Sequence, residues 1–185
     1  MRKPREWTVT ARRSAFEHPL LAVELRQIEA HGDVREVLAL RTADWVNVIP
    51  IMKNRDGENE IVLVRQWRYA IEQTTLEIPG GIVDPGEISE QAGRRELLEE
   101  TGFRAATWQS LGVIHPNPAI LNNRCHTVLV EDATERGPCA LETHEEISVR
   151  LVPIDDIARL ISGGHIHHAL VVAAFHHLAL RERLG

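Results

Sequence analysis

Between residues 87 and 100 the chain places Glu87, Arg95, Glu96, Glu99 and Glu100 at spacings that a helix would turn into a site. Glu96, Glu99 and Glu100 stand three and four positions apart, so on a helix they share one face; Glu87 lies ahead of them, and Arg95 is four residues before Glu99. Like charges at that spacing repel, and a solvated acidic face is the bland reading of three such glutamates. The alternative is a hard divalent cation, Mg²⁺ or Mn²⁺, which takes carboxylate and water oxygens and bridges protein to substrate phosphate. Arg95 would then pair with one of the glutamates and fix its orientation. The Pro79-Gly80-Gly81 turn just upstream favours the cation, because a backbone without Cβ lets a ligand approach closely.

The helix that must position these groups is framed by its end signals. Asp84-Pro85-Gly86 reads as a turn, Ser89 as the cap, and Gly102 as the left-handed residue that closes the helix, which predicts a span from Ser89 to Thr101. Gly93 in its middle costs about 1 kcal/mol against Ala.

Upstream, Trp7 to Ala43 reads as short strands: Val23, Leu25 and Gln27 alternate with Ala22, Glu24 and Arg26, His31-Gly32-Asp33 turns the chain, and Val34 to Arg41 resumes. This predicts a small antiparallel sheet over residues 1–44, with Trp7 and Phe16 as core residues or as aromatics that stack a base. The segment is too short to close a core of its own and predicts a homodimer. Trp45 to Met52 and Glu60 to Arg68 read as a hairpin about Asn54-Arg55-Asp56-Gly57, the second strand apolar enough to be buried on both faces. It runs out in Arg65, Trp67, Arg68 and Tyr69, a mixture suited to phosphate contact or base stacking, or else a solvated rim. Glu77, just before Pro79, would line the same pocket.

Downstream, Trp108 to His115, Arg124 to Val130 and Glu145 to Pro153 read as strands, with a break at Pro116-Asn117-Pro118 and a polar loop from Glu131 to His144. Helices follow over Ile154 to Ser162 and Ala169 to Arg183, the latter apolar on Leu170, Ala173, Ala174 and Leu178. His165, His167, His168, His176 and His177 crowd this end, but no recognisable zinc-ligand spacing accompanies them, and they are assigned no chemistry.

The 185 residues suit one domain with a small appendage. A net charge of −6 without a basic block argues against nucleic acid as partner. No apolar run is long enough to span a membrane, and no signal-peptide core follows Met1-Arg-Lys-Pro. Cys125 and Cys139 give no disulfide framework, so a reducing cytoplasm is expected.

From Gly81 to Phe103 the order is Gly81, five residues, Glu87, seven residues, Arg95-Glu96-Leu97, one residue, Glu99-Glu100, one residue, Gly102-Phe103. This is similar at all nine fixed positions to the Nudix box. The resemblance implies an α/β fold, the Nudix-type α/β/α sandwich with a mixed sheet over residues 45–185, plus the small N-terminal antiparallel sheet, used for dimerisation and base binding. It implies Mg²⁺-dependent hydrolysis of a nucleoside diphosphate derivative, with Glu96, Glu99 and Glu100 as metal ligands beside Gly81, Glu87 as an auxiliary ligand and Arg95 as the orienting cation. The run RQWRYA followed by LEIPGG resembles ADP-ribose and nucleotide-sugar pyrophosphatases, which implies that Arg65, Arg68, Trp67 and Glu77 contact substrate. Pro118 falls where the ADP-ribose branch carries a proline, although Ala119 replaces the glycine that usually follows.

ADP-ribose or a related nucleotide sugar is therefore the expected substrate, GDP-mannose the alternative, and a non-catalytic nucleotide-sugar sensor the reading from another class. The resemblance places the general base in an acidic loop late in the chain. There Glu145 is the first choice and Glu142 the second, with His144 considered and Glu146 expected to point away.

Overall fold

The computed structural model describes residues 3–135, 137–139 and 146–184 of the chain. The residues fall into two compact units: one runs up to Asp44 and takes in His115–Arg124, and the other comprises Trp45–Ile114 with the chain from Cys125 onward.

The smaller unit is an antiparallel meander of β1 (Thr8–His18), β2 (Leu21–Ala30) and β3 (Asp33–Arg41), in that order. His31 and Gly32 turn β2 into β3 with φ of 53° and 82°. The segment His115–Arg124 is tied to it by main-chain bonds from Leu40 to Ile120 (2.7 Å) and from Asn122 to Leu40 (3.2 Å), and by Asp44, which accepts the Arg124 guanidinium at 2.7 and 3.0 Å. Its buried apolar side chains among the described residues are Ala22, Ala30 and Ala39, and every residue of β1 is exposed. Phe16 is therefore not a core residue; it lies on an outer strand and is 56% exposed. Trp7 is half-buried beneath the Arg35 guanidinium, 4.8 Å from its ring centre.

The larger unit is built on β4 (Trp45–Lys53), β5 (Asn59–Arg68), β6 (Gln73–Glu77), β7 (Gly80–Ile82), β8 (Phe103–Arg104), β9 (Thr107–Ile114), β10 (Cys125–Glu131), β11 (Thr134–Glu135) and β12 (Ile147–Pro153). Three helices accompany them: α1 (Ser89–Thr101), α2 (Ile157–Ser162) and α3 (Ala169–Leu184). The main sheet has the order β12-β5-β4-β10-β9, with β6 on β5 and β7 on β4; β10 runs parallel to β4, so the sheet is mixed. Alternate residues of its central strands face opposite layers. Val46, Val48, Val62, Val128 and Val130 pack with Ala92 and Leu97 of α1, whereas Ile49, Ile61, Leu63 and Leu129 pack with Ile157, Val171, Ala174, Phe175 and Leu178 of α2 and α3. Burial on both faces is why β5 reads as an unbroken apolar run from Ile61 to Val64 and why β4 is strongly apolar. The result is the expected α/β/α sandwich.

Five local readings change. Gly80 and Gly81 of the expected turn belong instead to β7, where they pair with Asn47 and Val46 of β4. Ser89 is the first helical residue rather than the cap: Ile88 holds the cap position, and its N–H is accepted by the Gln91 side chain at 3.0 Å. The loop after Glu131 contains β11, which pairs with β8. The helix expected from Ile154 starts as a single 3₁₀ turn before α2. In α3 the fully buried stripe is Val171, Ala174, Phe175 and Leu178, one residue out of phase with Leu170 and Ala173. Gly93, by contrast, has a clear reason: a Cβ there would lie 3.1 Å from Val48 and 3.2 Å from Trp108, so glycine lets α1 sit against β4 and β9.

The feature that makes room for a ligand is a divergence of strands. β4 and β5 pair only near their hairpin, Ile51 to Lys53 against Asn59 to Ile61. Beyond that, β5 takes β6 as its neighbour, with Val64 opposite Glu77, while β4 takes β7, with Asn47 opposite Gly80. Ile78 and Pro79 carry the chain across the gap, and the Pro79 carbonyl accepts the Val48 N–H at 2.9 Å.

Candidate active site

Two charged clusters flank that crossing, one at each end of it. At the α1 end Arg95 is the hub. Its guanidinium donates to Glu87 (3.1 and 3.2 Å), Glu96 (2.8 Å), Glu99 (3.2 Å) and the Ile82 carbonyl (3.0 Å), with Asp84 at 3.6 Å. The expected pairing with one glutamate is a pairing with three. The hydrogen bond to Glu87 raises the Arg95 pKa far above its ordinary value, burial opposes this, and Glu96 and Glu99 reinforce it. Glu87 is lowered in turn, first by Arg95 and also by the Asp84 N–H.

Glycines bring the carboxylates to the main chain. The Glu96 carboxylate lies where a side chain on Gly81 would be, its Oε1 2.0 Å from an ideal Cβ. Glu100 is buried, and its Oε2 accepts the Gly80 N–H at 3.0 Å. Glu99 is the most exposed of the three helical glutamates.

Among the described residues no three acidic, histidine or cysteine side chains are already gathered as a cage for a metal ion; Arg95 stands between the carboxylates. The donor chemistry nevertheless fits Mg²⁺, which uses one or two carboxylates, several waters and substrate oxygens rather than a closed protein cage. The seat that Gly81 leaves beside Glu96 is the structural sign of that fit.

At the β6 end Glu77 is buried, with all four of its acceptor positions engaged. Oε1 accepts from Arg68 Nε (2.8 Å) and from Thr75 Oγ1, while Oε2 accepts from Arg68 Nη2 (2.7 Å) and faces His168 Nδ1 (2.8 Å). Burial pushes the Glu77 pKa up, but bonds from Arg68, His168 and Thr75 overcome it and hold the carboxyl well below its ordinary 4.5. A depressed carboxylate stabilises the fold above its unfolded pKa, and that stability is lost as pH falls through the folded value. The melting-temperature gap between wild type and Glu77→Gln should thus be full at neutral pH and narrow steadily once pH drops below 4.5 in a thermal-denaturation series. A gap independent of pH would contradict the pairing.

Arg68, Glu77, Thr75 and His168 line a cavity of about 410 Å³ whose apolar walls include Trp45, Ile71 and Leu170. A neighbouring cleft of about 670 Å³ is lined by Gln66, Trp67, Arg68, Tyr69 and Glu146, with Trp67 and Tyr69 exposed. Arg68 thus faces two openings. Arg65 does not join it: three positions back along a strand puts a side chain on the other face, and Arg65 lines a separate groove with Arg150, Arg159 and His165. Pro118 belongs to the smaller unit. Glu142 and Glu145 lie outside the described residues, as does His144. Glu146 is exposed just before β12. The sequence offers His168 only as one of a histidine-rich run and Trp45 only as a strand start; His168 and Glu77 are 91 positions apart, and no local pattern announces the contact.

Residues 43–175 match the NUDIX domain. The chain is 30% identical to the ADP-ribose pyrophosphatase of Bacillus subtilis over 128 residues, 69% of each chain. It is 33% identical to the mouse ADP-sugar pyrophosphatase over 90 residues, 49% of this chain and 41% of that protein. The crystal structure of an ADP compounds hydrolase superposes with a TM-score of 0.80 over 100% of this chain and 97% of that one, at 22% sequence identity, a likeness of fold. With the box intact on α1, its carboxylates set against Gly80 and Gly81, and the domain match spanning most of the sequence, the chain belongs to the Nudix hydrolase family.

Proposed function

We propose that this hydrolase cleaves the pyrophosphate bridge of ADP-ribose or a related nucleotide sugar with Mg²⁺ or Mn²⁺ as cofactor. The observation that carries this reading is the pair of clusters flanking Ile78-Pro79: carboxylates suited to a hard cation at one end, and a guanidinium fixed by a buried carboxylate at the other. A pyrophosphate bridge needs both kinds of contact, and the ADP-ribose and ADP-sugar relatives support the substrate class.

In this reading Glu96, Glu99 and Glu100 hold the metal beside Gly81, with Glu87 in support. A bound divalent ion supplies charge neutralisation at phosphate oxygens and a more acidic water. Arg95 keeps the carboxylates oriented, and Arg68 meets a substrate phosphate. Trp67 offers its exposed face to the base or sugar, and Glu77 holds Arg68 in place. Arg65, on the other face, and Pro118 are the weaker members of the set. A loop glutamate, Glu145 ahead of Glu142, takes the proton of the attacking water; comparing kcat of Glu145→Gln with that of Glu142→Gln decides between them.

Turnover of a panel of nucleotide sugars, dinucleotides and nucleoside triphosphates with Mg²⁺, and with chelator as blank, tests the reading. ADP-ribose should lead the panel. Triphosphates turned over far better than any diphosphate sugar would overturn it.

We also assign residues 1–44 to dimer formation and base binding. Val9, Phe16, Val34 and Leu38 on the strands and Leu20 in the β1–β2 turn are exposed in a unit whose described buried apolar side chains are three alanines, a surface that a second copy of the chain would cover. Light scattering should therefore give twice the chain mass of 20.9 kDa; a stable, active monomer would refute the assignment. Two free thiols, Cys125 buried and pushed up to about 12 and Cys139 exposed, suit a reducing cytoplasm. No described helix is long and apolar enough to cross a membrane.

A further inference from the structure

We propose that His168 is a positioning residue for substrate binding: from the start of α3 it locks Glu77, and through Glu77 the Arg68 guanidinium, in the orientation that meets a substrate phosphate. This rests on the reading of Arg68 given above.

The hydrogen-bond count behind it is specific. A side-on pair with Arg68 alone would neutralise Glu77, since both carboxylate oxygens already accept from Nε and Nη2 at 2.8 and 2.7 Å. Two further donors are nonetheless supplied, Thr75 on one oxygen and His168 on the other. The terminal torsion of a glutamate is soft. With donors on every lone pair the carboxylate plane cannot turn, and the planar guanidinium forked onto it cannot turn either. Because Glu77 is an ionised acceptor, the Nδ1 facing it carries the proton.

His168 is delivered from a fixed base. Its carbonyl accepts the N–H groups of Val171 and Val172, both at 3.0 Å, and two residues on, the Leu170 carbonyl accepts the Asn47 side chain at 3.1 Å. Asn47 is itself held by the Trp45 indole at 2.9 Å. The start of α3 is thereby pinned to β4 through Asn47 and to β6 through Glu77. His168 and Leu170 line the same cavity as Trp45 and Arg68.

The test measures ADP-ribose twice: as KM and kcat with Mg²⁺, and as a dissociation constant by calorimetry with metal omitted, so that hydrolysis does not intervene. His168→Ala should raise KM and the dissociation constant about tenfold, as befits loss of one charge-assisted hydrogen bond, with kcat within about twofold of wild type. His168→Asn, whose amide can replace Nδ1–H, should recover most of the loss, which a packing defect would not allow. Arg68→Ala should cost at least as much, and adding His168→Ala to it should change nothing further. His168→Ala without effect, or an effect that persists in the Arg68→Ala background, overturns the proposal while leaving Arg68 in its role. Arg68→Ala without effect removes the phosphate contact itself, and the role of His168 with it.

Discussion

Glu100→Gln should lower kcat/KM by at least ~10², because one charged ligand to a divalent ion is worth several kcal/mol of transition-state stabilisation. The substitution is unusually clean. Glutamine keeps the shape of the buried side chain, and its carbonyl oxygen can still accept the Gly80 N–H that Glu100 accepts at 3.0 Å. Folding is thus expected to survive while the charge is lost. Glu99→Gln should fall as far for a different reason: Glu99 is the more exposed, it pairs with Arg95, and its loss removes a carboxylate that Glu96 and Glu100 cannot replace. Mg²⁺ is expected to raise the melting temperature of the wild type, and in both variants that rise should shrink, a readout independent of turnover. Full activity in either variant would withdraw that residue from the metal set.

Gly81→Ala should be nearly as damaging to turnover, and comparison with its neighbour tells why. An added methyl on Gly81 meets the far end of a side chain, the Glu96 carboxylate at 2.0 Å, so Glu96 must swing away from its seat. Displacing a catalytic group by about 1 Å costs roughly 10² in rate. The backbone around it is untouched, so the melting temperature should change little. Gly80→Ala meets main chain instead, the Val46 carbonyl at 2.3 Å, at the point where β7 pairs with β4. That clash cannot be relieved by a rotamer, and overpacking of this kind costs about 1–3 kcal/mol or more. Melting curves and kcat measured on both variants should therefore separate the two glycines, one lost in rate and the other in stability. Gly81→Ala with wild-type kcat would show that Glu96 does not need that seat.

What the sequence disclosed follows from how local each signal is. The acidic face of α1 and its Gly102 stop are written within two dozen residues, and the helix forms where they predict; the glycines ahead of it form β7 rather than a turn, because β4 supplies a ladder partner that no local pattern shows. β4 and β5 are buried on both faces over their central residues, so their apolar stretches are plain in the sequence. For Phe16 the core alternative fails because β1 is an outer strand, exposed along its whole length among the described residues. Arg65 and Arg68 were grouped by closeness in sequence, although an odd separation on a strand already sends them to opposite faces. The contact of His168 with Glu77 had no such sign: it depends on where α3 is set down relative to β6, which only the assembled sandwich decides.

The crossing at Ile78-Pro79 has a further consequence. The jaws that would grip a substrate are not carried on separate moving parts; a single short stretch of chain is sewn to β5 on one side and to β4 on the other. Opening the jaws wider would mean tearing ladder bonds of both strands at once, so the gauge of this tool is cut into its frame. Point substitutions can change what the jaws touch, as at Arg68 or Glu96, but not how far apart they stand. A hydrolase built this way would be retuned most readily along its rims, where Trp67 and Tyr69 stand exposed, while the span it measures across the bond to be cut stays the same.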